Sequence, residues 1–235
     1  MDAGAGARGD GLRRLAALMD FFLARLPAFK RLPQETLEGL SRSVHAKGYG
    51  KNEPVFQEGD PANAVFVLKS GLVKAVKYSP RMEAASMEII APGQLFGMIA
   101  VMDKKPYPVS ALPLQDCEAY RIPAALFASL MTDFPEFSKV VYASIGDHLR
   151  QAQTLRSLAG EPVEVRVARV LLTLSNSIGG EIPIRREEIA ELAGCTTETA
   201  IRTLVDFRKK EWIASGWKRV SVLDAAALQA LCEAA

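Results

Sequence analysis

The chain has 235 residues, 49% of them hydrophobic and 24% charged, and its 29 Lys and Arg nearly balance 27 Asp and Glu. That is the composition of a globular chain with a sizeable core, most naturally two modules, and it excludes a disordered tail or a polycationic nucleic-acid coat. Any affinity for nucleic acid must therefore come from a local basic patch, and with Cys117, Cys195 and Cys232 far apart and no CxxC pair, a structural zinc site or disulfide framework is not expected; a reducing cytoplasm is.

Residues Met1 to Gly11 are rich in Gly and Ala and are expected to be disordered. Leu12 to Leu26 carries Leu15, Leu18, Met19, Phe22 and Leu26 at helical spacing, interrupted by Arg13, Arg14, Asp20 and Arg25, so it reads as an amphipathic packing helix that cannot span a bilayer. Pro33 to Leu40 predicts a second short helix with proline in its first turn. From Val44 to about Pro123 the pattern becomes short β-like runs: Val55-Phe56, Val65 to Leu68, Leu72 to Val76, Met87 to Ile90 and Ala119 to Ile122, with Gly59, Gly71, Gly93 and Gly97 at the corners. Such spacing predicts a β-roll or jelly roll. The stretch Val55-Phe56-Gln57-Glu58-Gly59-Asp60 through Ser70-Gly71-Leu72-Val73 is similar to the opening of the cyclic-nucleotide-binding domain found in the CRP/FNR family of bacterial transcription regulators.

That resemblance locates a candidate effector pocket in Phe96, Gly97, Met98, Ile99, Val109, Ser110 and Gln151. In nucleotide-binding members a Glu holds the ribose and an Arg pairs with the cyclic phosphate; Met98 and Val109 stand at those positions here, and Gln151-Ala152 replaces a Thr-Ser pair. A phosphate buried beside Val without a cationic partner would cost several kcal/mol, so cyclic AMP is not expected as the effector. With Val101 and Met102, the apolar members either line a hydrophobic cavity or simply fill the roll. Haem would need an axial ligand from His45, His148, Cys117 or a Met, and an iron–sulfur cluster is not expected because no Cys precedes Cys117.

After Phe134-Pro135 a long helical pattern runs to Gly160, in which Val141, Ile145, His148, Ala152, Leu155 and Ala159 recur at steps of four and three. This is the seam spacing of a parallel two-stranded dimer, with His148 as a polar interruption. Glu161-Pro162 ends the helix, and Val163 to Ser177 forms the next, with Val167, Val170, Leu171 and Leu174 as its core stripe.

Arg185 to Leu204 then gives two short helical patterns hinged at Gly194, with Thr196 or Thr197 able to cap the second. Ala200, Leu204 and Phe207 form its apolar stripe and leave Thr196, Thr197, Glu198, Thr199, Ile201 and Arg202 as a base-reading face. Arg202 can pair with guanine, Glu198 can accept from cytosine, and Ile201 can touch a thymine methyl. Glu211 to Ala214 and Trp217 to Val222 read as two strands around a Ser215-Gly216 turn, a wing offering Lys218 and Arg219 to phosphates. Asp224 to Cys232 predicts a capped terminal helix. The module resembles the winged DNA-binding unit of the CRP/FNR family. Thr197 stands where the catabolite-activator branch has an Arg, which leans toward an FNR-like or Dnr-like branch.

The expected fold is α+β: 1–24 a disordered start and N-terminal helix, 25–132 a β-roll (jelly roll) effector domain, 133–161 a dimerisation helix, and 162–235 a winged helix-turn-helix. The expected function is a cytoplasmic homodimeric regulator of palindromic double-stranded DNA, with an unidentified small-molecule effector and RNA polymerase as partners and no membrane. The alternative is an effector-independent architectural DNA binder. No catalytic or metal-binding constellation appears, so an enzyme is not expected.

Overall fold

A computed structural model of the chain describes residues 22–78, 84–157 and 160–234. The expected disorder of Met1 to Gly11, most of the Leu12 to Leu26 helix, and Ala159 lie outside the described residues, as do the side chains of Gln151, Ala152 and Leu155.

After a helical turn at 22–25, α1 spans Gln34–Ser43 with Pro33 as its N-cap residue, so the proline lies just outside the first turn. The roll follows as two antiparallel sheets. One contains β1 (His45–Tyr49), β7 (Cys117–Pro123), β2 (Ala64–Ser70) and β5 (Leu95–Phe96) in that spatial order; the other places β3 (Val73–Tyr78) between β4 (Ala84–Ile90) and β6 (Ser110–Pro113). In β2 the run Ala64 to Leu68 is buried throughout, because this strand sits inside its sheet with side chains packed on both faces. Gly71, at φ +85°, turns the chain where a Cβ would come within 2.6 Å of Cys117 Cβ. Only glycine fits there.

One expectation is corrected, and one strand lies outside the expected runs. Val55-Phe56 is not a strand; Phe56 makes one isolated bridge to Ala111, and its ring turns into the roll. β1, at the outer edge, has no apolar alternation and is exposed from His45 to Gly48, so backbone pairing to β7 rather than side-chain pattern defines it.

The short helix α2 (Met98–Asp103) lies between β5 and β6, and α3 (Ala124–Asp133) leads through Phe134 into α4 (Pro135–Ser157). Phe137 and Val141 of α4 bury against Phe29, Phe127 and Leu130, tying the long helix to the roll. The C-terminal unit consists of α5 (Val163–Ile178), β8 (Glu181–Ile182), α6 (Arg186–Leu192), α7 (Thr197–Lys209), a hairpin of β9 (Ile213–Gly216) and β10 (Arg219–Val222), and α8 (Ala225–Glu233). β10 sits between β8 and β9. Asp224 caps α8 by accepting from Ala227 N at 2.9 Å.

The two units share one apolar core. Leu72, Ile89, Ala91 and Leu114 of the roll pack in the same cluster as Val165, Leu171, Ile189 and Leu204 of the C-terminal unit. Two lysines fix the registration: Lys51 reaches Glu188 at 3.1 Å, and Lys74 contacts Glu191. Lys74 is buried, and that burial, reinforced by the charge of Lys51, pulls its ammonium below the ordinary lysine range. Glu191 is the carboxylate in contact with it. Glu191→Gln is therefore expected to leave Lys74 buried without a counter-charge and lower unfolding free energy by about 1–3 kcal/mol, read from urea denaturation. Hydrogen exchange should rise at α6 and β3 together.

Candidate nucleic-acid interface and effector pocket

The C-terminal reading unit is assembled around the turn between α6 and α7. Glu188, buried within α6, accepts from Arg185 N at 2.7 Å and so satisfies the first free amide of that helix. At the other end Cys195 N donates to Ala190 O at 2.9 Å, and Gly194 adopts φ +59°. Arg166 of α5 donates from Nη1 to Ala193 O at 2.5 Å and to Gly194 O at 2.7 Å. A guanidinium thus satisfies carbonyls that the helix end leaves open. Thr196, rather than Thr197, caps α7, its hydroxyl accepting from Thr199 N at 3.3 Å.

On α7 the expected stripe Ala200, Leu204 and Phe207 is buried, with Thr203 closing the row through a hydrogen bond to Thr199 O. Glu198 and Arg202 are exposed, while Thr197, Thr199 and Ile201 are half-buried. Among the described residues no ion pair or hydrogen bond joins Glu198 to Arg202. One acceptor and one fork of donors, a turn apart on the outward side of a helix anchored from behind, have the chemistry needed to read base edges.

The hairpin turn sits at Trp217-Lys218, two residues beyond the expected Ser215-Gly216. Gly216 is paired with Arg219 inside the ladder, and Lys218 itself takes the positive φ of 56°. Lys218 Nζ lies 3.9 Å over the ring of Trp217, which is 82% exposed. Arg219 pairs with Glu181 at 3.4 Å, so of the two expected phosphate contacts Lys218 is at the tip and Arg219 braces β8. A cleft of about 510 Å³ between wing and α6 is lined by Arg185, Arg186, Glu187, Gly216, Trp217 and Lys218. The basic pair Arg185-Arg186 and the wing tryptophan were not singled out from sequence, although three cations around one concavity are what an anionic backbone requires.

In the roll, Phe96, Met98 and Ser110 are buried, Gly97 opens α2 at φ +78°, and Val109 is half-buried. Ile99 is 52% exposed and only borders the cavity. Ser110 is occupied, its hydroxyl accepting from Glu58 N at 2.9 Å. The remaining space, about 80 Å³, is lined by Phe96, Met98, Val109 and, beyond the residues expected, Phe56, Tyr107, Glu88 and His148. Phe56 stacks on Tyr107 with centroids 3.8 Å apart, and the Tyr107 hydroxyl donates to Ala64 O at 2.5 Å. Val101 packs instead in the cluster with Phe127 and Leu130, Met102 beside it, so neither belongs to this lining. His45 is exposed on β1, and burial pushes the Cys117 thiol up to about 11.

Of the expected dimer seam, the described side chains Val141, Ile145 and His148 lie toward the chain's own roll. Val141 is fully buried, Ile145 packs on the same roll cluster, and His148 Nδ1 lies against Glu88 of β4. These residues bind the helix to its own roll. The neighbouring face exposes Tyr142 at 58% and Leu149 at 59%, seven residues apart, with Gly146 between them.

Residues 46–134 match the model of the cyclic nucleotide-binding domain, and residues 165–231 that of the Crp-like helix-turn-helix domain. A CRP-like cAMP-activated global transcriptional regulator of Mycobacterium tuberculosis is 27% identical over 88% of this chain and 96% of its own length. The transcriptional activator protein anr of Pseudomonas aeruginosa is 27% identical over 90% of this chain and 91% of its own. Among solved structures, FixK2 from Bradyrhizobium japonicum shares the fold with a TM-score of 0.69 at 21% identity, covering 80% of this chain and 96% of that one.

The turn yields a direct test. A Cβ at Gly194 would sit 3.0 Å from Arg166 Nη1 on a left-handed backbone. Gly194→Ala is expected to cost about 1–2 kcal/mol of stability by thermal or urea unfolding.

Proposed function

The chain belongs to the CRP/FNR family of DNA-binding transcription regulators, and on that footing we propose that it works as a homodimer on palindromic DNA under the control of an effector other than cyclic AMP. The observation that carries the DNA reading is the exposed, unpaired couple Glu198 and Arg202 above the buried row Ala200, Leu204 and Phe207. Arg202 reads a guanine, Glu198 a cytosine amino group and Ile201 a methyl, while Lys218 and the Arg185-Arg186 pair hold phosphates. Thr196 and Thr199, joined to each other at 2.9 Å, set the helix start and contribute little to base choice.

A second copy meets the face of α4 that bears Tyr142, Gly146 and Leu149. Two large apolar side chains flanking a glycine give a close helix crossing, and leaving them in water is costly. A two-fold axis along this face would set two recognition helices about 34 Å apart, one duplex turn, so the operator is an inverted repeat.

Met98 and Val109 support an effector other than a cyclic nucleotide, because they supply no acceptor for a ribose and no cation for a phosphate. Haem is not part of the proposal: a space of about 80 Å³ with Glu88 against His148 does not fit a porphyrin. RNA polymerase as a partner and a cytoplasmic location follow from the regulatory role.

Operator selection from random duplexes, followed by fluorescence anisotropy, tests the DNA reading. Arg202→Ala is expected to lose about 1–3 kcal/mol of discrimination at a guanine and little affinity for random DNA, whereas Lys218→Ala should weaken all duplexes alike and flatten the salt slope by about one. Equal losses for Arg202→Ala on both kinds of DNA would refute it. For the dimer, Leu149→Glu should give a monomer by analytical ultracentrifugation that binds single half-sites only weakly, with circular dichroism unchanged. A variant still dimeric at micromolar concentration would place the interface elsewhere.

A further inference from the structure

Two polar side chains close an otherwise apolar cavity. His148 of α4 is 10% exposed and Glu88 of β4 15%, and both border the space of about 80 Å³ under α2. Nδ1 of the ring lies against Glu88 Oε1 without the alignment of a hydrogen bond, and Nε2, on the other side of the ring, has no hydrogen-bond partner among the described residues. A buried ring nitrogen left unpaired is costly, and a ligand group that pairs with it recovers that cost.

We propose that this cavity seats a small uncharged molecule, no larger than a single six-membered ring, whose one hydroxyl hydrogen-bonds His148 Nε2. The proposal rests on the reading of the roll as an effector domain and adds the class of effector. Its apolar part lies against Phe96, Met98 and Ile90, and the unbranched Met98 can swing to enlarge the space. A hydroxyl is selected because it both donates and accepts, so it satisfies the ring nitrogen in either protonation state.

Charge decides the rest. Glu88 with a neutral His148 carries one negative charge, and with an imidazolium none; in neither state is the site positive. A carboxylate or phosphate would be desolvated there with no compensating cation. An ammonium group would find Glu88 Oε1 already covered by the imidazole and would have to lose its hydration in a largely apolar space.

The seat also touches what an effector has to move. His148 and Glu88 form the wall between this cavity and a cleft of about 770 Å³ bordered by Thr173, Asn176 and Ser177 of α5. His148 stands on the helix whose neighbouring face bears Leu149. A ligand that draws the ring toward the cavity therefore pulls on the element that joins the two units.

Isothermal titration of the full-length protein with phenol, toluene, benzoate and benzylamine tests the seat. Phenol is expected to bind about tenfold tighter than toluene, one hydrogen bond's worth, with benzoate and benzylamine weaker than phenol. His148→Phe should abolish the preference for phenol over toluene, and His148→Gln, which keeps a polar atom near Nε2, should retain part of it. Benzoate or benzylamine outranking phenol, an undiminished phenol preference in His148→Phe, or no binding of any probe up to about 10 mM would overturn the proposal. Affinity for the selected operator is then measured with and without phenol. Phenol bound in the expected order while DNA affinity stays fixed would uphold the seat and overturn the effector reading beneath it.

Discussion

The contact between the roll and α6 is what ties the recognition helix to the effector unit. Lys74 is a cation almost removed from water, and the half-exposed Glu191 lies against it from α6, while Leu72, Ile89 and Leu114 of the roll share one apolar core with Ile189 of α6. Glu188 has two duties at the same joint. One carboxylate oxygen caps α6 through Arg185 N, and the other takes Lys51 from the roll. The start of the helix-turn-helix is thus defined by a residue bound to both units. Because α6 cannot tilt without breaking these contacts, the Gly194 turn and α7 behind it inherit an orientation from the roll.

This coupling gives the fold a way to transmit a change in the roll to DNA. The apolar part of the joint is non-directional and tolerates sliding, whereas the two lysine contacts are short and specific. A displacement of β3 or of the loop bearing Lys51 would therefore be felt first as loss of ion pairing, which leaves buried charge and is expensive, and so the packed unit should move as a body rather than deform.

Much of this was readable beforehand where one physical cause dominates. The stripe Ala200, Leu204 and Phe207, the positive φ of Gly194, the cap on α7 and the strands around Val65 to Leu68 and Ile89-Ile90 each follow from period or from a single residue's conformational preference. What failed depended on partners distant in the chain. β1 exists because β7 offers a free edge, and Phe56 belongs to the cavity because Tyr107 stacks on it. The wing turn slipped by two residues because Gly216 looked like the residue to bend, while Lys218 accepted the strained backbone instead.

The spacing along α4 is the most instructive case, because two different partners ask for the same pattern. Val141, Ile145 and His148 do recur at steps of four and three, yet a helix lying on a sheet needs the same spacing as a helix lying on its twin. The two demands can be separated only by the second face. Tyr142, Gly146, Leu149 and Gln153 repeat the steps four, three and four about a quarter-turn away, and all remain accessible, whereas a helix serving its own roll alone would carry charge there. An α4 with two such faces places the cavity-lining imidazole and the exposed leucine on adjacent residues of one rigid rod. What happens at His148 therefore cannot be isolated from the surface that a second copy would cover.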